Sequence, residues 1–140
     1  MTDALSIGWT AGQAATQRTA YRRLLAFALI VQTVLALIAI VAPVWLARAA
    51  DLPGAPSAGW VRLWGIMLLI TATLYLPGWV EPVYARFPNV VGIFARFVLA
   101  VAYFGLGQGL RWFALYELAL AIALAWSYGR LMRAELMSRP

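Results

Sequence analysis

Between Leu24 and Ala47 the chain reads LLAFALIVQTVLALIAIVAPVWLA, without one charged residue. At about 1.5 Å per helical residue the block is about 36 Å long, enough to cross a hydrocarbon core of about 30 Å with some tilt. No other feature constrains the fold as strongly. Hydrocarbon offers a backbone no hydrogen-bond partners, so such a segment must satisfy its N–H and C=O groups internally, as an α-helix does. Three more apolar blocks follow, at Trp60–Trp79, from about Asn89 to Gly107, and from about Leu110 to Gly129. The second opens with WVRLW and closes with YLPGW, aromatic at both ends as a span between two interfaces should be.

Helices of a soluble bundle would each carry a polar stripe over about half the circumference. These blocks carry none, and the composition agrees: 64% of residues are hydrophobic and 11% charged. The expected fold is therefore all-α, an integral membrane four-helix bundle with spans at about 24–47, 60–79, 89–107 and 110–129. Residues 1–23 are expected to form a cytoplasmic or interfacial segment and 130–140 a cytoplasmic tail. No positive region precedes an apolar core in residues 1–20, so they do not read as a cleavable signal peptide. RAADLPGAPSAG, residues 48–59, is the clearest linker, and VEPVYARFP, residues 80–88, is a short connection.

The formal charge of +6 comes from eleven arginines, no lysine and five acids. The arginines stand singly or in pairs between apolar blocks and make no contiguous patch for phosphate contacts, so nucleic acid is not an expected partner; the lipid bilayer is. With both termini on one side, Arg18, Arg22, Arg23, Arg86, Arg130, Arg133 and Arg139 share it, against Arg48, Arg62 and Arg111 opposite. The positive-inside rule then puts the termini in the cytoplasm.

Cysteine and histidine are both absent. The chain has no thiolate nucleophile, no imidazole base and no Cys or His ligand for zinc, haem or an iron–sulfur cluster. No catalytic residue and no metal site is expected, and the cofactor classes left are those held without such ligands, a quinone or a lipid. GLGQGL, residues 105–110, has the glycines of a phosphate loop without its strand or spacing, and reads as a helix–helix turn.

One residue disturbs the third block: Arg96, within GIFARFVLAVAYFGLG. On a helix its stripe continues through Asn89, Gly92, Ala100, Tyr103 and Gly107, while Phe94, Phe97, Val98, Val101 and Phe104 occupy the opposite face. Arg96 is thus expected to point inward. Glu117 poses the same puzzle in the fourth block, on a face with Ala114, Ala121, Ala125 and Tyr128. Counted from the glycine turn, Arg96 lies about 16 Å deep and Glu117 about 12 Å, on adjacent antiparallel helices, so the two are placed to pair. Gln32, with Ala28, Ala36 and Ala39, and Thr71, with Trp64, Met67 and Tyr75, offer polar groups toward the same region. Three readings follow from these residues. The pair fixes helix register; or it belongs to a proton, ion or substrate path, or to an anchor for a polar headgroup or a quinone; or Arg96 snorkels to the cytoplasmic interface.

RLWGIMLLITATLYLPG followed by EPVYARFPNVVGIFARF resembles the small DoxX-like and BphX-like bacterial membrane proteins. The matching features are an arginine–tryptophan start to the second span, a Tyr-Leu-Pro ending, an acid–proline step and an arginine within the third span. Here these are Arg62, Trp64, Tyr75, Pro77, Glu81, Pro82 and Arg96, within residues 62–105. The resemblance implies a four-helix bundle in the bacterial inner membrane, in a group some of whose members are associated with quinone-linked oxidation or aromatic degradation. The function expected is a non-catalytic accessory subunit packing against other membrane subunits or against copies of itself. Two alternatives are a small oligomeric transporter or pore lined by Arg96 and Glu117, and a quinone- or lipid-binding redox helper using Trp64, Tyr75, Tyr103 and Arg96.

Overall fold

The computed structural model describes residues 2–52 and 57–138, with side chains from residue 11 onward except that of Gln108. The centre of the 48–59 linker and Arg139 lie outside the described residues. The described chain is all-α: α1 (Thr2–Val41), α2 (Pro43–Ala49), α3 (Ala58–Val80), α4 (Arg86–Leu106) and α5 (Arg111–Met137), with one 3-10 turn at Gln108–Leu110. Four of these helices, α1 (from Ala11), α3, α4 and α5, are long and apolar enough to cross a membrane.

The helix limits depart from the sequence expectation at three places. The first block is not one helix to Ala47. Ala42 leaves the helical region (φ −126°, ψ 56°) and Pro43 restarts the chain as the first turn of α2. Proline has no N–H to give the carbonyl of Ala39, and it disfavours helical geometry in the residue before it. The residues before Leu24 are helical as well, α1 running unbroken for 40 residues from Thr2. Helices of that length reach about 60 Å, so α1 outruns any hydrocarbon core. At the other end, α5 continues through the expected tail to Met137.

Local chemistry sets the remaining ends. Ser57 caps α3, its Oγ accepting from the Trp60 N–H at 3.4 Å. After α2 the Leu52 N–H donates to the Ala47 carbonyl (3.0 Å) and the Asp51 N–H to that of Arg48 (3.2 Å). This is a Schellman closure, and Asp51 takes the left-handed position, φ 47°, usually given to glycine.

α1 packs on α3 and α5, and α4 packs on α5 and α3. Small residues permit the approach of α1 and α3: a Cβ at Gly65 would lie 2.8 Å from the Ala36 carbonyl oxygen and 2.9 Å from the Ala39 Cβ. Two apolar clusters result. One gathers Tyr21, Leu25, Leu29, Ala72, Val83, Leu124, Tyr128 and Leu131. The other gathers Ala39, Leu46 and Val61 near α2. Fully buried alanines (Ala28, Ala36, Ala114 and Ala121) lie on the stretches of α1 and α5 that also carry Gln32 and Glu117. Outside, Ile30, Leu74, Phe94, Val101 and Trp126 are among many large apolar side chains left exposed. A surface of that kind calls for lipid or for other apolar helices.

Candidate functional site: a polar line on α4

Asn89, Gly92, Arg96 and Ala100 form the buried stripe of α4. Tyr103 continues it, so one helix face presents polar groups at three levels, each about 10 Å from the next.

Arg96 holds the middle level and is 3% exposed. Its Nη1 donates to Glu117 Oε2 on α5 at 2.5 Å, and its Nη2 donates to Gln32 Oε1 on α1 at 2.9 Å. Gln32 is then used at both ends, since its Nε2 donates to the Leu68 carbonyl on α3 at 3.0 Å. A single connected group therefore ties all four long helices together. The Tyr75 ring lies 6.0 Å from the guanidinium carbon and adds a cation–π contact. Gly92 makes room for that ring, because a Cβ at position 92 would run into it. Arg96 therefore turns inward to partners instead of reaching for the interface, and the snorkelling reading is corrected.

Asn89 holds the level nearer the chain termini. Its Oδ1 accepts from the Tyr21 hydroxyl on α1 at 2.8 Å, and its Nδ2 lies 3.2 Å from each of the carbonyls of Gly78, Pro82 and Ala85. The reason lies in the acid–proline step. The carbonyl of Gly78 would take its helical hydrogen bond from residue 82, which is a proline with no N–H. Asn89 supplies the missing donor and fastens the α3–α4 turn to the start of α4. Close by, Trp79 Nε1 donates to the Arg22 carbonyl at 3.1 Å, and the Arg22 guanidinium stacks 5.1 Å from the Trp79 ring. Arg18 pairs with Glu135 at 2.6 Å, linking α1 to the end of α5.

Tyr103 holds the third level, its hydroxyl accepting from Trp64 Nε1 at 3.3 Å. Phe113 packs edge-on to Trp64, with ring centroids 5.7 Å apart.

The site residues expected from sequence thus separate. Arg96, Glu117 and Gln32 meet directly, Tyr75 flanks them, and Trp64 pairs with Tyr103 at another level. Thr71 joins neither group: its hydroxyl turns back on its own helix and donates to the Met67 and Leu68 carbonyls. Glu81 and Arg86 form no described ion pair, and Arg86 Nε donates to the Val83 carbonyl instead. Sequence reasoning passed over Tyr21 and the role of Asn89. The available signal was Pro82, which announces a carbonyl four residues back in need of a donor.

Between the Arg96 and Asn89 levels lies a cavity of about 10 Å³ lined by Tyr21, Tyr75, Asn89, Gly92 and Arg96 among others. That is room for one water among polar partners. Among the described residues no group of three or more acids is placed to hold a metal ion. Compared with family models, curated proteins and solved structures, the chain gave no match.

Proposed function

We propose that the chain is a non-catalytic membrane protein, an accessory subunit that packs through its apolar helix faces against a larger membrane complex. In this reading the four long helices form one bundle in a bacterial inner membrane, related to the DoxX-like and BphX-like group, with both termini in the cytoplasm. The arginine imbalance between the two ends supports the orientation.

The observation that carries the reading is the self-sufficiency of the group around Arg96. Arg96 is satisfied by Glu117 and Gln32, and Gln32 in turn by Leu68. A site that takes up and releases a solute needs polar groups left over for it and a space to hold it. The cavity beside Arg96, at about 10 Å³, takes one water and nothing larger. The groups at the middle level act as a clamp on helix register. What the protein offers to others is its outer surface, where Ile30, Phe94, Val101 and Trp126 stand exposed.

Extraction of the full chain from native membranes in a mild detergent, followed by identification of whatever stays bound in fixed stoichiometry, tests the proposal. A defined membrane partner is expected. If the purified homo-oligomer in vesicles instead moves a solute, and folded Arg96→Gln stops the movement, the chain is a small transporter. Tightly held quinone in the extract would make it a redox helper.

A further inference from the structure

Where the α1 and α5 ends meet, a groove of about 620 Å³ opens between the two helices. Gln13 and Gln17 line it from α1, and Arg130 and Arg133 line it from α5. Each pair is spaced three or four residues apart, so both members of a pair lie on one helix face. The groove stays open at Gly12, where a Cβ would meet nothing within 4 Å. Among the described residues the ion pairs are Arg18–Glu135 and Arg96–Glu117, and neither uses Arg130 or Arg133. Two exposed guanidinium groups thus face a cavity whose other wall carries amide donors, and the nearby carboxylate of Glu135 is taken by Arg18.

The depth of the groove indicates what would enter it. Arg130 follows directly on the apolar stretch of α5, and Gln17 precedes Leu24, where the apolar stretch of α1 begins. Both walls therefore lie just beyond the hydrocarbon, at the level of lipid headgroups. Trp126 and Ile122, four and eight residues before Arg130 on its helix face and on its hydrocarbon side, are apolar and exposed, 71% and 55%. A soluble anion would use the arginines alone; a phospholipid would use the arginines for its phosphate and these side chains for the start of its acyl chains. Planar guanidinium groups suit phosphate oxygens in bidentate fashion, and basic pockets between membrane helices bind anionic headgroups.

We infer that the α1–α5 groove is a binding site for one anionic phospholipid, its phosphate held by Arg130 and Arg133. The site is independent of the accessory-subunit reading, since it needs only that the chain lie in a bilayer.

The test is titration of the purified full chain in detergent with phosphatidylglycerol and, separately, with phosphatidylcholine, followed by native mass spectrometry. One phosphatidylglycerol is expected to bind saturably and in preference to phosphatidylcholine. The double variant Arg130→Gln/Arg133→Gln should weaken that binding about tenfold or more, at about 1 kcal/mol per arginine near the headgroups. Arg48→Gln/Arg111→Gln, at the opposite end, should leave it unchanged. Gly12→Leu fills the groove from the other wall with both arginines intact, and should weaken binding as well. Equal uptake of the two lipids overturns the site. So does equal loss from both arginine pairs, which would mean diffuse charge. Displacement of the lipid by millimolar inorganic phosphate would make free phosphate the ligand and overturn the lipid.

Discussion

Two arginine–glutamate pairs of nearly equal length stand in different surroundings. Arg96 and Glu117 meet at 2.5 Å with 3% and 9% of their surfaces exposed. Arg18 and Glu135 meet at 2.6 Å, but the Arg18 side chain is 43% exposed. Coulomb attraction at these separations differs little by distance and greatly by dielectric. In the outer pair the Glu135 side chain is 15% exposed, but the Arg18 guanidinium stays in contact with solvent whether or not the pair forms, so its loss costs little. The inner pair has given up its water. Its net contribution to stability is small, because desolvation offsets the attraction, yet removal of one partner strands a charge in an interior with room for a single water. The inner pair also has Gln32 as a third member, which extends the constraint to α1 and, through the Leu68 carbonyl, to α3. The inner group sets which faces meet, whereas the outer pair fastens two ends already brought together.

The comparison can be broken most forcefully at the centre. Arg96→Leu leaves Glu117 buried without a counter-charge and should destabilise the fold by about 3–5 kcal/mol, read from thermal or chemical unfolding in detergent. The reciprocal exchange of Arg96→Glu with Glu117→Arg should recover most of the loss from either single reversal. A double variant as damaged as the worse single would mean that no coupling exists.

A smaller effect belongs to Asn89, which has neutral partners throughout. Asn89→Leu leaves the Gly78 carbonyl and the Tyr21 hydroxyl without their bonds, at a cost of about 2–3 kcal/mol. The loss should be insensitive to salt, and amide exchange should quicken selectively across the α3–α4 turn. Unchanged protection there would sink the claim that Asn89 stands in for the donor that Pro82 lacks.

The smallest effect sharpens the contrast. Arg18→Ala should cost less than about 1 kcal/mol and lose most of that in molar salt, where charges are screened beyond about 3 Å. A loss as large as that of Arg96→Leu would show that this end is as dry as the centre.

Much of the central site was legible because a turn links its two helices. Arg96 and Glu117 flank the glycine turn, and rise per residue converts sequence distance from that turn into depth. Periodicity then put both on small-residue faces. Gln32 was visible as a polar residue on an alanine stripe, but its partners were not, since α1 is separated from α4 by α2 and α3. Thr71 looked equivalent to Gln32 and is not: a threonine hydroxyl on a helix can reach its own preceding carbonyls, which a glutamine amide is too long to favour. Pro43 was visible as a break, though not that the break would start a separate short helix closed by Asp51.

The sequence by itself determined the number of helices long and apolar enough to cross a membrane and the face on which each buried charge lies. These follow from hydropathy, length and period, which are properties of single segments. Only the tertiary structure decided which segments touch. It brought α1 against α3 and α5, gave Arg96 its second acceptor, and folded Asn89 back onto the carbonyl that Pro82 leaves unpaired. The physical reason is that rotation and approach of helices distant in sequence depend on how small residues such as Gly65 and Gly92 let neighbours in, and that fit is a property of two surfaces at once.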